Sequence, residues 1–103
     1  MPDRIYLITI DPTDPSADHA GLKRVLKAGS PDINNWWNHI PHVFMVSTNL
    51  DADAISDLVR PFAGRARFLV IEVQPEESEG SLPERAWRWI QKRSPHDEMA
   101  NAQ

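Results

Sequence analysis

Asn35-Trp36-Trp37-Asn38-His39-Ile40-Pro41-His42-Val43-Phe44-Met45-Val46-Ser47 sets two of the chain's four tryptophans side by side, and its reading decides the fold. Residues 35–40 predict a short strand, Pro41-His42 a turn, and residues 43–48 a second strand rich in β-branched and apolar side chains, so the stretch is a β-hairpin. Side chains alternate across a strand. Trp36, Asn38 and Ile40 therefore share one face while Trp37 and His39 share the other, which puts one indole in the core and its neighbour on the open face.

Upstream, Arg4-Ile5-Tyr6-Leu7-Ile8-Thr9-Ile10-Asp11 is apolar on both alternating faces, the sign of an interior strand covered on both sides. Asp14 followed by Pro15 fits an N-cap with proline at the first helical position, and a first helix runs from there to about Ala28. Leu22, Val25 and Leu26 give it an apolar stripe, and Gly29 suits a C′ position with positive φ. Downstream, a second helix begins at Asp51 with Leu50 and Ile55 as a hydrophobic staple, and Pro61 limits it near Arg60. Ala66-Arg67-Phe68-Leu69-Val70-Ile71-Glu72-Val73 is strongly β-forming and ends at Gln74-Pro75. Residues 74–80 form an acidic, turn-rich connection. Ser81-Leu82-Pro83-Glu84 matches a capping box and opens a final helix whose stripe is Leu82, Ala86, Trp89 and Ile90, with Trp87 at its margin. Residues 1–93 are expected to make one domain and residues 94–103 a frayed tail.

The resulting order predicts an α+β, ferredoxin-like βαββαβ fold with a four-stranded antiparallel sheet and an additional C-terminal helix. Right-handed crossovers put residues 4–11 and 43–48 at the centre, with the Trp strand and the Phe68 strand at the edges. Two amphipathic helices cover one sheet face. The second face needs the Trp87/Trp89 helix or another copy of the chain. Residues 68–73 also form a flat, apolar, proline-free edge that pairs with another strand unless it is protected. A homodimer through the sheet face or this edge answers both needs, and a folded-back C-terminal helix or acidic loop is the monomeric alternative.

A chain of 103 residues holds one core, burying roughly two-thirds of the unfolded surface. Its 41% hydrophobic and 25% charged content is that of an ordinary soluble globular protein, and nine prolines stiffen its connections. Cysteine is absent, which excludes disulfides, zinc-thiolate sites and thiol nucleophiles. No basic leader or membrane-length run is evident, so a cytoplasmic location with no membrane partner is expected. A net charge of −4 argues against broad nucleic-acid binding, leaving a local basic patch or a dimer-built groove as the route to such contact. Four glycines leave no room for a phosphate-cradling loop or dinucleotide fingerprint.

With the elements in order, the chain resembles the SinR-like family of small uncharacterised bacterial proteins, related to the ferredoxin-like CRISPR adaptation protein that partners the integrase. The residues carrying this are Thr9-Ile10-Asp11 at the end of the first strand, Trp36-Trp37 followed by Val43-Phe44-Met45-Val46, Leu50-Asp51-Ala52-Asp53-Ala54-Ile55, and Leu69-Val70-Ile71-Glu72-Val73. The match covers about residues 4–73. It implies a homodimer of ferredoxin-like domains. In the CRISPR family an aspartate ending the first strand, brought near its dimer mate, is associated with divalent-metal nuclease activity, and Asp11 is the matching residue. Two features differ: a terminal helix stands where those proteins have an extra strand, and the net charge is acidic.

Candidate chemistry follows from side-chain types. Asp11 and Asp14, with Asp18 and His19 close behind, are carboxylates that can hold Mg²⁺ with much of its water shell retained. A turn at Asp11 and a cap at Asp14 account for the same residues structurally. His39 and His42 bracket Ile40-Pro41 without a third ligand nearby. Arg60, Arg65 and Arg67 cluster around the end of the second helix and Lys23, Arg24 and Lys27 line the first, either set being placed for phosphate contact or for the helix dipole. Arg85, Arg88, Lys92 and Arg93 accompany the indoles of the last helix, which docks on its own sheet or stacks bases. Three readings follow: a homodimeric interaction module contacting nucleic acid, a Mg-dependent endonuclease using Asp11 from both protomers, and a small-ligand sensor at a dimer interface.

Overall fold

The computed structural model describes residues 4–29 and 32–92. The elements are β1 (Arg4–Ile10), α1 (His19–Ala28), β2 (Ile33–Ile40), β3 (Val43–Thr48), α2 (Ala52–Ala63), β4 (Phe68–Glu72), a 3₁₀ turn (Pro75–Glu77) and α3 (Glu84–Lys92). Four strands form one antiparallel sheet in the order β2-β3-β1-β4. With three α-helices the chain is α+β, an arrangement compatible with the ferredoxin-like plan. Among the described residues no helix is long and apolar enough to cross a membrane. The expected tail at 94–103 lies outside the described residues.

Alternation along β1 divides the core into two. Tyr6, Ile8 and Ile10 face α1 and α2 and are buried with Leu22, Leu26, Phe44, Val46, Ile55 and Val59. Ile5 faces the opposite way and packs with Trp37, Met45, Ala86 and Ile90, so α3 covers part of the second sheet face. Each fully buried aliphatic side chain is worth about 1.5–3 kcal/mol. The larger first cluster therefore carries most of the stability. Polar groups beside and within it are satisfied: the Tyr6 hydroxyl donates to the Leu50 carbonyl at 3.0 Å, and buried Thr48 donates from Oγ1 to the Asp32 carbonyl at 2.5 Å and accepts from the Leu50 amide at 3.1 Å.

The hairpin differs from a simple alternation. Pairing shifts between Ile33 and Asn35 and again between Trp37 and Ile40, so β2 carries extra residues against β3. Trp36 still pairs with Val46 and Trp37 with Met45, on opposite faces. The second shift sets Ile40 across from Val43, which alternation along β3 places with Met45, so Ile40 shares the face of Trp37 and not that of Trp36. The Asn38 amide holds this irregularity by donating to the carbonyls of Ile40 at 2.9 Å and Val43 at 2.8 Å. Neither indole lies on an open face. Trp36 packs against the α1/α2 core, and Trp37 is buried under α3.

Helix boundaries also move. The cap of α1 is Asp18, whose carboxylate accepts from the Gly21 amide at 2.8 Å, four residues later than the expected Asp14. Residues 14–18 are instead tied across to the α2–β4 connection: Ser16 Oγ accepts from the Arg65 amide at 2.9 Å and the Asp18 amide donates to the Phe62 carbonyl at 2.6 Å. That approach requires a glycine at 64, where φ is +61° and a Cβ would run into the Ser16 carbonyl. Helix α2 is capped by Asp51 as expected but continues past Pro61 to Ala63, because Ile55, Val59 and Ala63 form one buried stripe. Helix α3 begins at Glu84, with the Pro83 carbonyl accepting from the Ala86 and Trp87 amides, two residues later than a cap at Ser81 would set it.

Candidate functional site

One end of the sheet gathers most of the residues singled out for chemistry. The chain leaves β1 at Asp11, whose amide donates to the Arg67 carbonyl at 2.9 Å and so joins the start of the 11–18 loop to the 64–67 connection. Asp11 Oδ1 accepts from the Thr13 amide at 2.9 Å and from its hydroxyl at 2.7 Å. Asp14 repeats the arrangement with the Ser16 amide and hydroxyl, at 2.9 and 2.7 Å. Both are Asx turns, in which a short carboxylate substitutes for a backbone acceptor. These bonds stabilise the ionised forms. Asp11 lies below its ordinary value first through the Thr13 hydroxyl and amide and then through the charge of Arg67. Asp14 is lowered by the Ser16 hydroxyl and amide and by Arg65, with the charge of Asp11 opposing.

The sheet end is thus a balanced patch. Arg65 and Arg67 act on Asp14 and Asp11, which reduces the field either pair presents to a phosphate or a cation. Arg60 is placed differently, its guanidinium 5.4 Å from the centre of the Phe68 ring and donating to Ser56 Oγ at 3.2 Å. Among the described residues no group of three or more His, Cys, Asp or Glu side chains is arranged to hold a metal ion. A Mg²⁺ site at Asp11 and Asp14 would consist of those two carboxylates, water and substrate oxygens.

His39 and His42, which bracket Ile40-Pro41, each lie against a different ring. His42 stands edge-on to His19, ring centres 6.0 Å apart, and His19 Nε2 lies 3.3 Å from the Ile10 carbonyl. His39 leans on Trp37 at 5.2 Å. The irregularity at residues 38–39 is the reason, since it gives the two hairpin histidines different neighbours. Sequence spacing missed the His19–His42 pair because a helix start and a hairpin turn meet there only through the sheet.

A second feature lies on the opposite face at the far edge. Leu69 is 52% exposed and Ile71 48%, and their pairing with Thr9 and Leu7 places them on the face that carries α3. Helix α3 does not reach them. Beside them Leu7, Met45, Val73, Pro75 and Ile90 line an apolar cleft of about 430 Å³. No protein-family model matches the chain, and neither a curated protein nor a solved structure matches it. The functional reading therefore rests on this geometry.

Proposed function

We propose that the chain is a ferredoxin-like interaction module that works as a homodimer joined along β4. The observation that carries this is the outer edge strand with Leu69 and Ile71 half-exposed, continuous through Leu7 with the apolar cleft. Edge strands of this character are ordinarily paired, covered or charged. A two-fold axis through Val70 sets Leu69 against the partner's Ile71 and Phe68 against the partner's Glu72, an isologous pairing that extends the sheet across both protomers. Arg60, seated on Phe68, then faces that Glu72. Nucleic-acid contact in this reading is local, because the chain carries a net charge of −4 and the Arg65 and Arg67 charges already act on carboxylates.

The test is the oligomeric state at tens of micromolar by sedimentation velocity, for the native chain and for Leu69→Lys/Ile71→Lys. Four half-exposed side chains taken out of water contribute about 1 kcal/mol each. The double variant is expected to raise Kd by ~100-fold or more, leaving a folded monomer. A native chain that sediments as a monomer throughout sinks the reading.

A further inference from the structure

On the edge away from β4, the outer side of β2 opens into a groove of about 350 Å³ lined by Lys23 of α1, Trp36, Trp37, Asn38 and His39 of β2, and Arg85 and Trp89 of α3. Three of the chain's four indoles meet here with two cations and, among the described residues, no carboxylate in the lining, in a protein whose net charge is −4. The walls come from both faces of the sheet, with Lys23 supplied by the helix on one side and Arg85 by the helix on the other. Trp89 stands edge-on to Trp37, ring centres 6.3 Å apart at 85°, and His39 leans on the same ring. Trp37 is only 7% exposed, and its indole Nε1–H is buried with no hydrogen-bond acceptor among the described residues. The Trp37 ring thus forms the floor of the groove, while Trp36 and Trp89, both partly exposed, and the exposed Lys23 and Arg85 form its accessible walls.

We propose that this groove binds a nucleotide unit, a single unpaired base with its phosphate. The base is held against the exposed parts of the indoles, and the phosphates of the unit and its neighbour lie toward Lys23 and Arg85. Each element of the site selects for this chemistry. Stacking on aromatic rings accepts any base, the two cations favour an anion and reject cationic ligands, and the volume fits one planar ring system with a substituent. A duplex does not fit, because its bases are paired and stacked away from the protein. The unit can come from a free nucleotide or from a single strand, and the phosphate chemistry is the same. The inference deepens the proposed nucleic-acid contact by giving it a place, and it does not depend on the dimer, since β2 and β4 are opposite edges of the sheet.

The experiment titrates the full chain with 5′-AMP, with an eight-nucleotide single strand and with the matching duplex, following tryptophan fluorescence and the Trp37 Nε1–H resonance. Saturable quenching with a shift of that resonance is expected. Equal affinity for AMP and the single strand assigns the groove to a free nucleotide, and a gain of ~10-fold or more for the strand assigns it to single-stranded nucleic acid. Lys23→Ala/Arg85→Ala, both exposed positions, is expected to weaken strand binding by ~10-fold or more and to flatten its salt dependence by roughly 1.4 log units per log unit of salt. Leu69→Lys/Ile71→Lys is expected to bind as the native chain does. No binding of AMP or strand, unchanged affinity in the Lys23/Arg85 variant, or duplex binding as tight as single-strand binding overturns the proposal. Loss of the dimer alone leaves it standing.

Discussion

At the scale of single residues, the 11–18 loop is held by carboxylates whose partners are local hydroxyls and amides. Asp11 and Asp14 are both depressed from an ordinary value of 3.8. The sign follows: a carboxylate with a lowered folded pKa adds stability that is present in full above its unfolded value and lost as pH falls through the folded one. An acid titration is therefore expected to lower the unfolding midpoint mainly below about pH 4. In Thr13→Val the Asp11 midpoint, followed by NMR, is expected to rise toward 3.8 without reaching it, because the Thr13 amide bond survives. Thr48 is the buried counterpart. Thr48→Val keeps the volume but leaves the Asp32 carbonyl and the Leu50 amide without that hydroxyl, for an expected loss of about 1–3 kcal/mol in denaturant unfolding. Asp11 and Thr48 were not equally legible. A turn at Asp11 is written in the adjacent residues, whereas Thr48 acquires its role from Asp32, sixteen positions away.

At the scale of elements, α3 decides whether the second sheet face is a core or a surface. It contributes only Ala86 and Ile90 as buried residues, yet these close over Ile5, Met45 and Trp37. Ile90→Ala is expected to cost about 2–4 kcal/mol and to red-shift tryptophan emission as Trp37 becomes accessible. The apolar stripe of this helix was evident from its spacing, and so was the need for something to cover the second face. Which candidate covered it was not, because a helix and a second protomer present the same apolar chemistry to a sheet. The start of α1 shows the converse. Asp14-Pro15 is a good local cap, but bonds from Ser16 and Asp18 to residues 62–65 hold that segment in turns and pass the cap to Asp18. In β2, the bulge secured by Asn38 moves Ile40 to the other face, a change that alternation cannot foresee.

At the scale of the whole molecule, the two edges of the sheet have opposite characters: β4 is apolar and half-exposed, while β2 borders an aromatic and cationic groove. If the proposed dimer along β4 forms, the melting temperature depends on protein concentration, and that dependence is expected to vanish in Leu69→Lys/Ile71→Lys, as measured by calorimetry across a ~100-fold concentration range. The sequence by itself determined the α+β class, the four strands, the amphipathic helices, the cap at Asp51 and the absence of thiol chemistry, because these depend on side-chain periodicity and on contacts within a few residues. Only the tertiary structure decided that both indoles of the hairpin are packed, that α3 covers part of the second face while Leu69 and Ile71 stay half-exposed, and that His42 meets His19. It also brought Lys23, Trp37 and Arg85 around one groove. Those outcomes come from burial and hydrogen bonds between segments far apart in the chain, where several local choices have similar free energies and long-range packing selects among them.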